Sequence, residues 1–596
     1  MDSIKLVGDS HFVIPAVVAA IAVLISTSWL SFLRRRRSLP PGPSPWPILG
    51  NLPDLGPLPF RSLANLADRH GPILTVWFGS TPSVVISSPE LARDVLKTND
   101  KLCSSRPMTR TLAILTLDGK NIAFSQPNDR WRKLRRLATL HLLSAKKLRE
   151  SLPVREGEIR DMLDAIAADV TITGEAAGGA KSAASDDGIE LRKYLNRVTL
   201  NNIMRLTLGK RFSYSSIRGA AGVAPKAILE AAMKIDWNER IAARTGEMGP
   251  ASTAEGRSSK LSSLTEEEEG ELAFAIIEET FALVGAFNLA DYVPWLSYWD
   301  PQRIYARMQR LTPLLHGFLR ACIEERRQLL KIPKNQVGIP GDAPHPSRTV
   351  VAANGTNGEY VAANLCASGS NHNGDGSRKE GMERNAPEAA LIDALFEVEG
   401  EGEDQMDKDE MLMLAFELMM AGTDTTTVTL EWALAELAQH PNMLEKVRAE
   451  VDAAYAKSAS AAAQNGTTAA GGSDSKINAW ALAHDPTVWI NPHKFDPSRF
   501  LGPDAPDLTG QNFSLLTFGS GRRGCLGLNL AMDLSARLLA NIVRRFDFEL
   551  PEDVRAAGGV GLTEHFALTV MLAKPLRVVL RERKGVAEGV VADAGA

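Results

Sequence analysis

The chain has 596 residues, 44% of them apolar, and a formal net charge of −4. That supplies material for a sizeable core, leaves open a single large catalytic domain with insertions, and, lacking an overall basic field, argues against nucleic acid as partner. The four cysteines, Cys103, Cys322, Cys366 and Cys525, are scattered with no C-x-x-C pair, which argues against a disulfide framework and fits a reducing compartment.

Residues 12–33 carry no charged side chain; as a helix they would span about 33 Å, enough for a bilayer core. Arg34, Arg35, Arg36 and Arg37 follow, against Lys5 before the run, which places the C-terminal side in the cytosol. A cleaved signal peptide is the competing reading, disfavoured by the length of the run and by Asp2 and Asp9 in its flank. The next stretch, LPPGPSPWPILG at 39–50, reads as a semi-rigid spacer between membrane and globule, because its prolines stiffen the backbone and remove donors.

Helical character at 62–70 is followed by two strand-like runs, ILTVWFG and SVVIS, within 72–87. Ser88 and Pro89 then open a short helix to residue 98 as N-cap and first residue. Residues 106–124 are irregular. The run WRKLRR at 131–136 opens a helix on which Trp131 and Arg135 stand one turn apart and share a face. Stretches near 171–188, 249–269, 331–385 and 458–475 are rich in Ala, Gly, Ser, Asn or Glu and read as low-complexity insertions.

The long apolar run 410–437 carries AGTDTT at 421–426. Gly422 removes a side chain where a ligand could approach the helix, and Asp424 and Thr425 add an acid and a hydroxyl to an otherwise greasy element. Taken alone, such a threonine also suits a kink, since it can bond back to the i−4 carbonyl. Residues 515–527 read LLTFGSGRRGCLG and precede a helix-patterned run. Gly519, Gly521, Gly524 and Gly527 let the backbone bend and approach a bulky partner. The positive helix start with Arg522 and Arg523 favours Cys525 as thiolate. In isolation Cys525 is equally a buried thiol beside a glycine turn. Residues 559–583 read as a terminal hairpin with a frayed tail from 584.

Phe518, Gly521, Arg523, Cys525 and Gly527 fall in the pattern F-x-x-G-x-R-x-C-x-G. With it the chain resembles the cytochrome P-450 monooxygenases over most of residues 39–583. The resemblance implies a mainly α (α+β) fold, a helical heme domain at 51–583 with a small β region, behind an N-terminal transmembrane helix at 12–33 and a hinge at 34–50. It implies heme b with Cys525 as axial ligand and Phe518, Gly521, Arg523 and Gly527 around it. It further implies a propionate held by Trp131 and Arg135, and proton delivery to dioxygen by Asp424 and Thr425. Arg132, Lys133 and Arg136 would then form a basic surface for an electron donor, NADPH-cytochrome P-450 reductase. The expected reaction inserts one atom of O2 into a small apolar substrate at the endoplasmic reticulum membrane, with the catalytic domain facing the cytosol. PPGP, AGTDTT and NAWALAHDP are similar to plant microsomal members acting on phenylpropanoid, flavonoid or fatty-acid substrates.

One part of that family pattern is missing. Between residue 457 and Lys476 the family places a helix bearing E-x-x-R and several strands, whereas this chain has the 458–475 stretch. Glu445 and Arg448 spell E-x-x-R on the preceding helix and are rejected as its equivalent. Arg499 would lose its partners, at a cost on the order of 3 kcal/mol or more if it stays buried. A catalytically degenerate or truncated membrane heme-binding protein is therefore the alternative, and an anchored helical interaction protein a third reading that explains neither motif.

Overall fold

The structure is a computed structural model that describes residues 38–175, 188–214, 225–237, 240, 266–293, 296, 298–330, 390–400, 405–457, 476–501, 505–506 and 508–583. The expected anchor at 12–33, its flanking arginines and the tail from 584 lie outside the described residues. So do most of the insertions at 171–188 and 249–269 and all of those at 331–385 and 458–475. Among the described residues one stretch, Glu268–Tyr292, is long and apolar enough to cross a membrane; half of its apolar window is buried in the fold.

Helices dominate, and one organises the rest: α9 (Lys408–Gln439) in the set α1 (Pro59–His70), α2 (Arg110–Leu115), α3 (Asp129–Leu137), α4 (Leu152–Glu175), α5 (Leu191–Leu208), α6 (Pro225–Ala232), α7 (Glu266–Gly285), α8 (Ile304–Leu329), α10 (Pro441–Lys457), α11 (Ala479–Ala483) and α12 (Leu528–Arg545). The start of α9 is fixed by a reciprocal cap. The Asp407 carboxylate accepts from the Glu410 N–H at 2.7 Å and Glu410 accepts from the Asp407 N–H at 3.0 Å, an arrangement worth about 1 kcal/mol. Thereafter α9 runs through both main clusters. Its first half, with Met411 to Met420, packs with apolar residues of α3, α5, α7 and α8; its second half, with Leu430, Leu434 and Leu437, joins α4, α12 and the terminal strands.

Small sheets flank this body. β1 (Ile73–Phe78) and β2 (Thr81–Ile86) are antiparallel, with Thr75 opposite Val84, close to the expected strands. β3 (Ile189–Glu190) and β5 (Phe546–Glu549) pair with β8 (Arg577–Glu582), while β6 (Glu564–Phe566) and β7 (Val570–Leu572) form the expected terminal hairpin. β4 (Lys476–Ile477) joins β2 in parallel, Ile477 opposite Ile86. The first described residues after the 458–475 stretch therefore enter the sheet directly.

The hinge differs from the expected spacer. Thr75 N–H donates to the Pro41 carbonyl at 2.9 Å and Gly79 N–H to the Leu49 carbonyl at 3.1 Å. Buried Asn51 accepts from the Trp77 N–H at 2.9 Å and donates its own N–H to the Trp77 carbonyl. A Cβ on Gly50 would lie 2.1 Å from the Trp77 carbonyl oxygen, and its φ of +65° is one that glycine adopts without strain. Residues 41–51 are thus a strap fastened along β1. Trp46 and Gly50 close a tight turn on each other at 2.8 and 2.9 Å, and the backbone groups on either side of it find partners on the open edge of β1.

Candidate active site

The thiol of Cys525 lies three residues ahead of α12. The loop before it is closed by Cys525 N–H to the Phe518 carbonyl at 2.9 Å and Gly524 N–H to the Gly521 carbonyl at 3.0 Å. Of its four glycines, Gly519 (φ 69°) and Gly521 (φ 68°) adopt the left-handed region. Gly524 and Gly527 do not; Gly527 is the N-cap of α12, and a Cβ there would sit 3.9 Å from the Cys525 sulfur. Backbone freedom is therefore not what Gly527 supplies, and a methyl group there would make only ordinary contact with the sulfur.

Cys525 is exposed, opening to solvent on one side while protein surrounds it on the others. That surrounding pushes the thiol up from its ordinary 9.0, against the pull of the Gly527 N–H and the charge of Arg135. The expected help from Arg522 and Arg523 is not there. Arg522 pairs with Asp100 at 3.0 Å. Arg523 spends its N–H groups on the carbonyls of Ser104, Ile122 and Ser125 and lies over the Trp131 ring at 4.7 Å. Cys103, Cys322 and Cys525 form no disulfide.

Asn128 caps α3 by accepting from the Trp131 N–H at 2.9 Å, which sets Trp131 inward and Arg135 beside the thiol loop. Trp131 is buried, and its indole N–H donates to the Ile122 carbonyl at 3.1 Å. The indole is thus tied to the stretch 121–125. Arg135 donates to the Gly524 carbonyl at 2.8 Å. Lys133 departs from the expected basic surface: it is drawn to Glu410 at 2.9 Å, while Arg132 and Arg136 stay exposed.

Burial and the charges of Arg106 and Arg135 push Arg523 down to about 10, against the pull of Glu417. Arg135 next to an accessible thiol, with Arg523 close by, fits a flat metal macrocycle with acidic side groups. Glu417 itself, which the sequence reading passed over, stands one turn before Ala421 on α9. It accepts from Asn121 Nδ2 at 2.9 Å, the Ile122 N–H at 2.8 Å and the Ala123 N–H at 2.6 Å. Burial pushes it up to about 7 in spite of those donors and Arg523. The available signal was a lone acid within the apolar run LMLAFELMM.

The AGTDTT segment stays helical. Gly422 does not face a ligand: a Cβ there would meet Ile203 Cγ1 at 2.9 Å and Cδ1 at 3.0 Å, so its smallness lets α5 approach α9. Ala421, Thr425 and Thr429 are exposed at i, i+4 spacing on a helix otherwise largely buried, which marks an open face. The Thr425 hydroxyl donates to the Ala421 carbonyl at 2.6 Å, the back-bonded geometry. Asp424 is held by the Thr569 hydroxyl, from the turn between β6 and β7, at 2.5 Å. Burial pushes its carboxyl above the usual range, offset by Thr569 and by the charge of Arg192. Thr569 and Arg192 gave no local sequence signal, since both reach Asp424 through tertiary packing.

Arg499 is not an orphan. It is half-buried and caps its own loop, donating to the carbonyls of Asp496, Ile490, Asn491 and Lys494 at 2.9–3.4 Å. The expected penalty for a buried unpaired charge does not arise. Arg448, of the rejected E-x-x-R spelling, pairs with Glu445 and, at 2.9 Å, with Asp547 of β5.

A helical body with an accessible thiol on a glycine-bent loop, framed by guanidinium groups and set behind a central helix with an open polar face, defines the class. The family model described as cytochrome P450 matches residues 40–221, 259–465 and 464–558. The chain belongs to the cytochrome P450 family and is an oxidoreductase of the monooxygenase class. The match breaks at 464–465, inside the 458–475 stretch. Cytochrome P450 98A2 of Glycine max is 29% identical over 607 residues, covering 95% of this chain and 97% of that protein. Flavonoid 3'-monooxygenase of Petunia hybrida is 27% identical, covering 93% and 94%. Among solved structures, a zebra fish cytochrome P450 with progesterone superposes with a TM-score of 0.52 at 19% identity, over 88% of this chain and 99% of that one, so the fold is the cytochrome P450 fold.

Proposed function

We propose that the chain is a heme-thiolate monooxygenase that hydroxylates a small apolar molecule with electrons from an NADPH-dependent reductase. The observation that carries this reading is the accessible Cys525 on its glycine loop, in a chain that also keeps Thr425 on the open face of α9, with Asp424 next to it held by Thr569. Cys525 would ligate the iron of heme b. Bound heme supplies the one-electron redox chemistry that activates dioxygen, one atom entering the substrate and the other leaving as water. Arg135 holds positive charge next to the thiolate, and with Arg523 it balances the acidic side groups. Asp424, its carboxyl raised above the usual range by burial, accepts the Thr569 hydroxyl as a carboxylate and takes up the proton that is passed on. Thr425 presents its hydroxyl oxygen on the open face as a relay.

Exposed Arg132 and Arg136 support docking of an acidic electron donor. The apolar run at 12–33 with its arginines supports a single-pass endoplasmic reticulum anchor, a hinge at 34–50 and a cytosolic heme domain at 51–583. The names of the plant relatives support a small organic substrate, including the flavonoid named for the petunia enzyme.

The test is the carbon-monoxide difference spectrum of the reduced full chain. A red-shifted Soret band that disappears in Cys525→Ser supports the reading, and substrate screening with a reductase follows. A blue-shifted band or none overturns it. In that case the second reading stands, a family member without turnover, which one observation favours: Arg499 closes on backbone carbonyls of its own loop and not on the acid of a neighbouring helix.

A further inference from the structure

The proposed oxygenase chemistry makes no use of Glu278 on α7. That helix is largely buried, yet Glu278 and Ala282 on it and Ala286 just past its end are exposed at i, i+4 spacing, the pattern that also marks the open face of α9. The far end of this stripe is pinned. Gly285, seven residues after Glu278 and on the same side of the helix, lies so close to the turn between β6 and β7 that a Cβ there would be 2.2 Å from the Leu568 nitrogen. The next residue of that turn, Thr569, holds Asp424 of α9 at 2.5 Å. One turn thus fastens both helices, and their open faces look onto a common space beside the exposed Leu568 side chain.

Glu278 is also unspent. Glu269 of the same helix is committed to Lys210 at 2.6 Å and to Arg240, Glu271 to Arg197, and Glu279 to Arg307 at 2.7 Å. Among the described residues Glu278 has neither a hydrogen bond nor an ion pair. Surrounding protein pushes its carboxyl above the usual range, the charges of Glu279 and Asp424 add to the rise, and Arg192 opposes it.

Two of those three charges are already cancelled. Glu279 has Arg307, and Arg192 of α5 grips buried Glu431 through two nitrogens at 2.7–2.9 Å while donating to the Leu572 carbonyl at 2.7 Å. The negative charges of Glu278 and Asp424 remain, with no uncommitted cation among the groups acting on either. A half-enclosed carboxyl loses hydration without gaining a partner, and a like charge nearby adds to the cost. A hydroxyl donor would satisfy one oxygen and leave the repulsion; a cation relieves both.

We propose, resting on the oxygenase reading, that Glu278 is a specificity-determining residue of that site and selects substrates with a basic nitrogen, so that the substrate class is an apolar amine bound as its cation. The charged end sits at Glu278 in the field of Asp424. The apolar body lies along Ala282, Leu568 and the open face of α9.

The test compares trimethyl(4-phenylbutyl)ammonium with its neutral isostere, in which a tert-butyl group replaces the trimethylammonium, by equilibrium dialysis against the purified full chain. The quaternary nitrogen has no lone pair, so it cannot bind through iron. In wild type the cation is expected to bind saturably and about tenfold more tightly than the isostere. Glu278→Gln should weaken the cation about tenfold, leave the isostere unchanged and, as a neutral replacement at an exposed position, keep the melting temperature. Equal binding of the two probes in wild type, a preference that survives Glu278→Gln, or failure of the cation to saturate up to about millimolar overturns the proposal. The carbon-monoxide spectrum of the same preparation reports separately on the oxygenase reading: a red-shifted band without the preference sinks the amine assignment alone.

Discussion

Glu417 gives the sharpest test of the electrostatics around the site. Its carboxyl stands at about 7 in the folded chain against an ordinary 4.5, so the native state binds this proton more tightly than the unfolded state. The linked stability is present below about pH 4.5 and is lost as pH rises toward 7. At about 1.4 kcal/mol per unit the gap amounts to about 3 kcal/mol, discounted to about 2 because the side chain keeps some solvent contact. Glu417→Gln removes the titration while keeping the oxygen that accepts from Asn121, Ile122 and Ala123. Losing the second acceptor for Ile122 gives a penalty that does not vary with pH, so the slope is the readout. Urea denaturation of both proteins from pH 4.5 to 8 should show wild type losing about 2 kcal/mol relative to the variant. A flat difference, or one that grows in favour of wild type, would mean that the N–H donors and Arg523 outweigh desolvation, and the reasoning would fail.

Three further outcomes follow from the same geometry. Thr569→Val removes the hydrogen bond that favours ionised Asp424, so the acidic limb of the turnover–pH profile should move to higher pH; an unmoved limb detaches Asp424 from proton delivery. Gly422→Ala should destabilise by about 1 kcal/mol, overpacking against Ile203 exceeding the helix-propensity gain, and in an Ile203→Ala background it should become neutral or stabilising. Thermal melts of the four proteins check the cycle, with additivity as the contrary result. Arg499→Ala should cost about 1–2 kcal/mol through lost backbone capping, well short of the roughly 3–5 kcal/mol for breaking a buried ion pair; denaturation midpoints decide between them.

Much of the fold was legible because it is written in local signals. The run before Gln439, the Ser88–Pro89 start and the alternating strands within 72–87 each depend on neighbours in the chain, and the structure keeps them. Cys525 and its loop were legible for the same reason. What escaped depends on residues far apart in sequence. Gly422 read as room for a ligand because nothing nearby announces Ile203, more than two hundred residues earlier. Arg499 read as stranded because backbone carbonyls of its own loop, invisible to side-chain pattern matching, satisfy it. Glu417 and Thr569 were missed for the same reason, since their roles arise only when α9 meets residues 121–123 and the β6–β7 turn.

The strap along β1 has a practical reach. In the sheet order β1–β2–β4, β1 is an edge strand of mostly buried residues, and β4 at the other side is two residues long. Residues 41–51 cap the first edge, leaving little unpaired backbone for a second chain to template on. Removing the apolar N-terminal run to obtain soluble material is therefore safe only upstream of Pro41. A cut at the end of the proline stretch would strip the cover, bare the N–H of Thr75 and the carbonyl of Trp77, and leave β1 a seed for strand-to-strand aggregation.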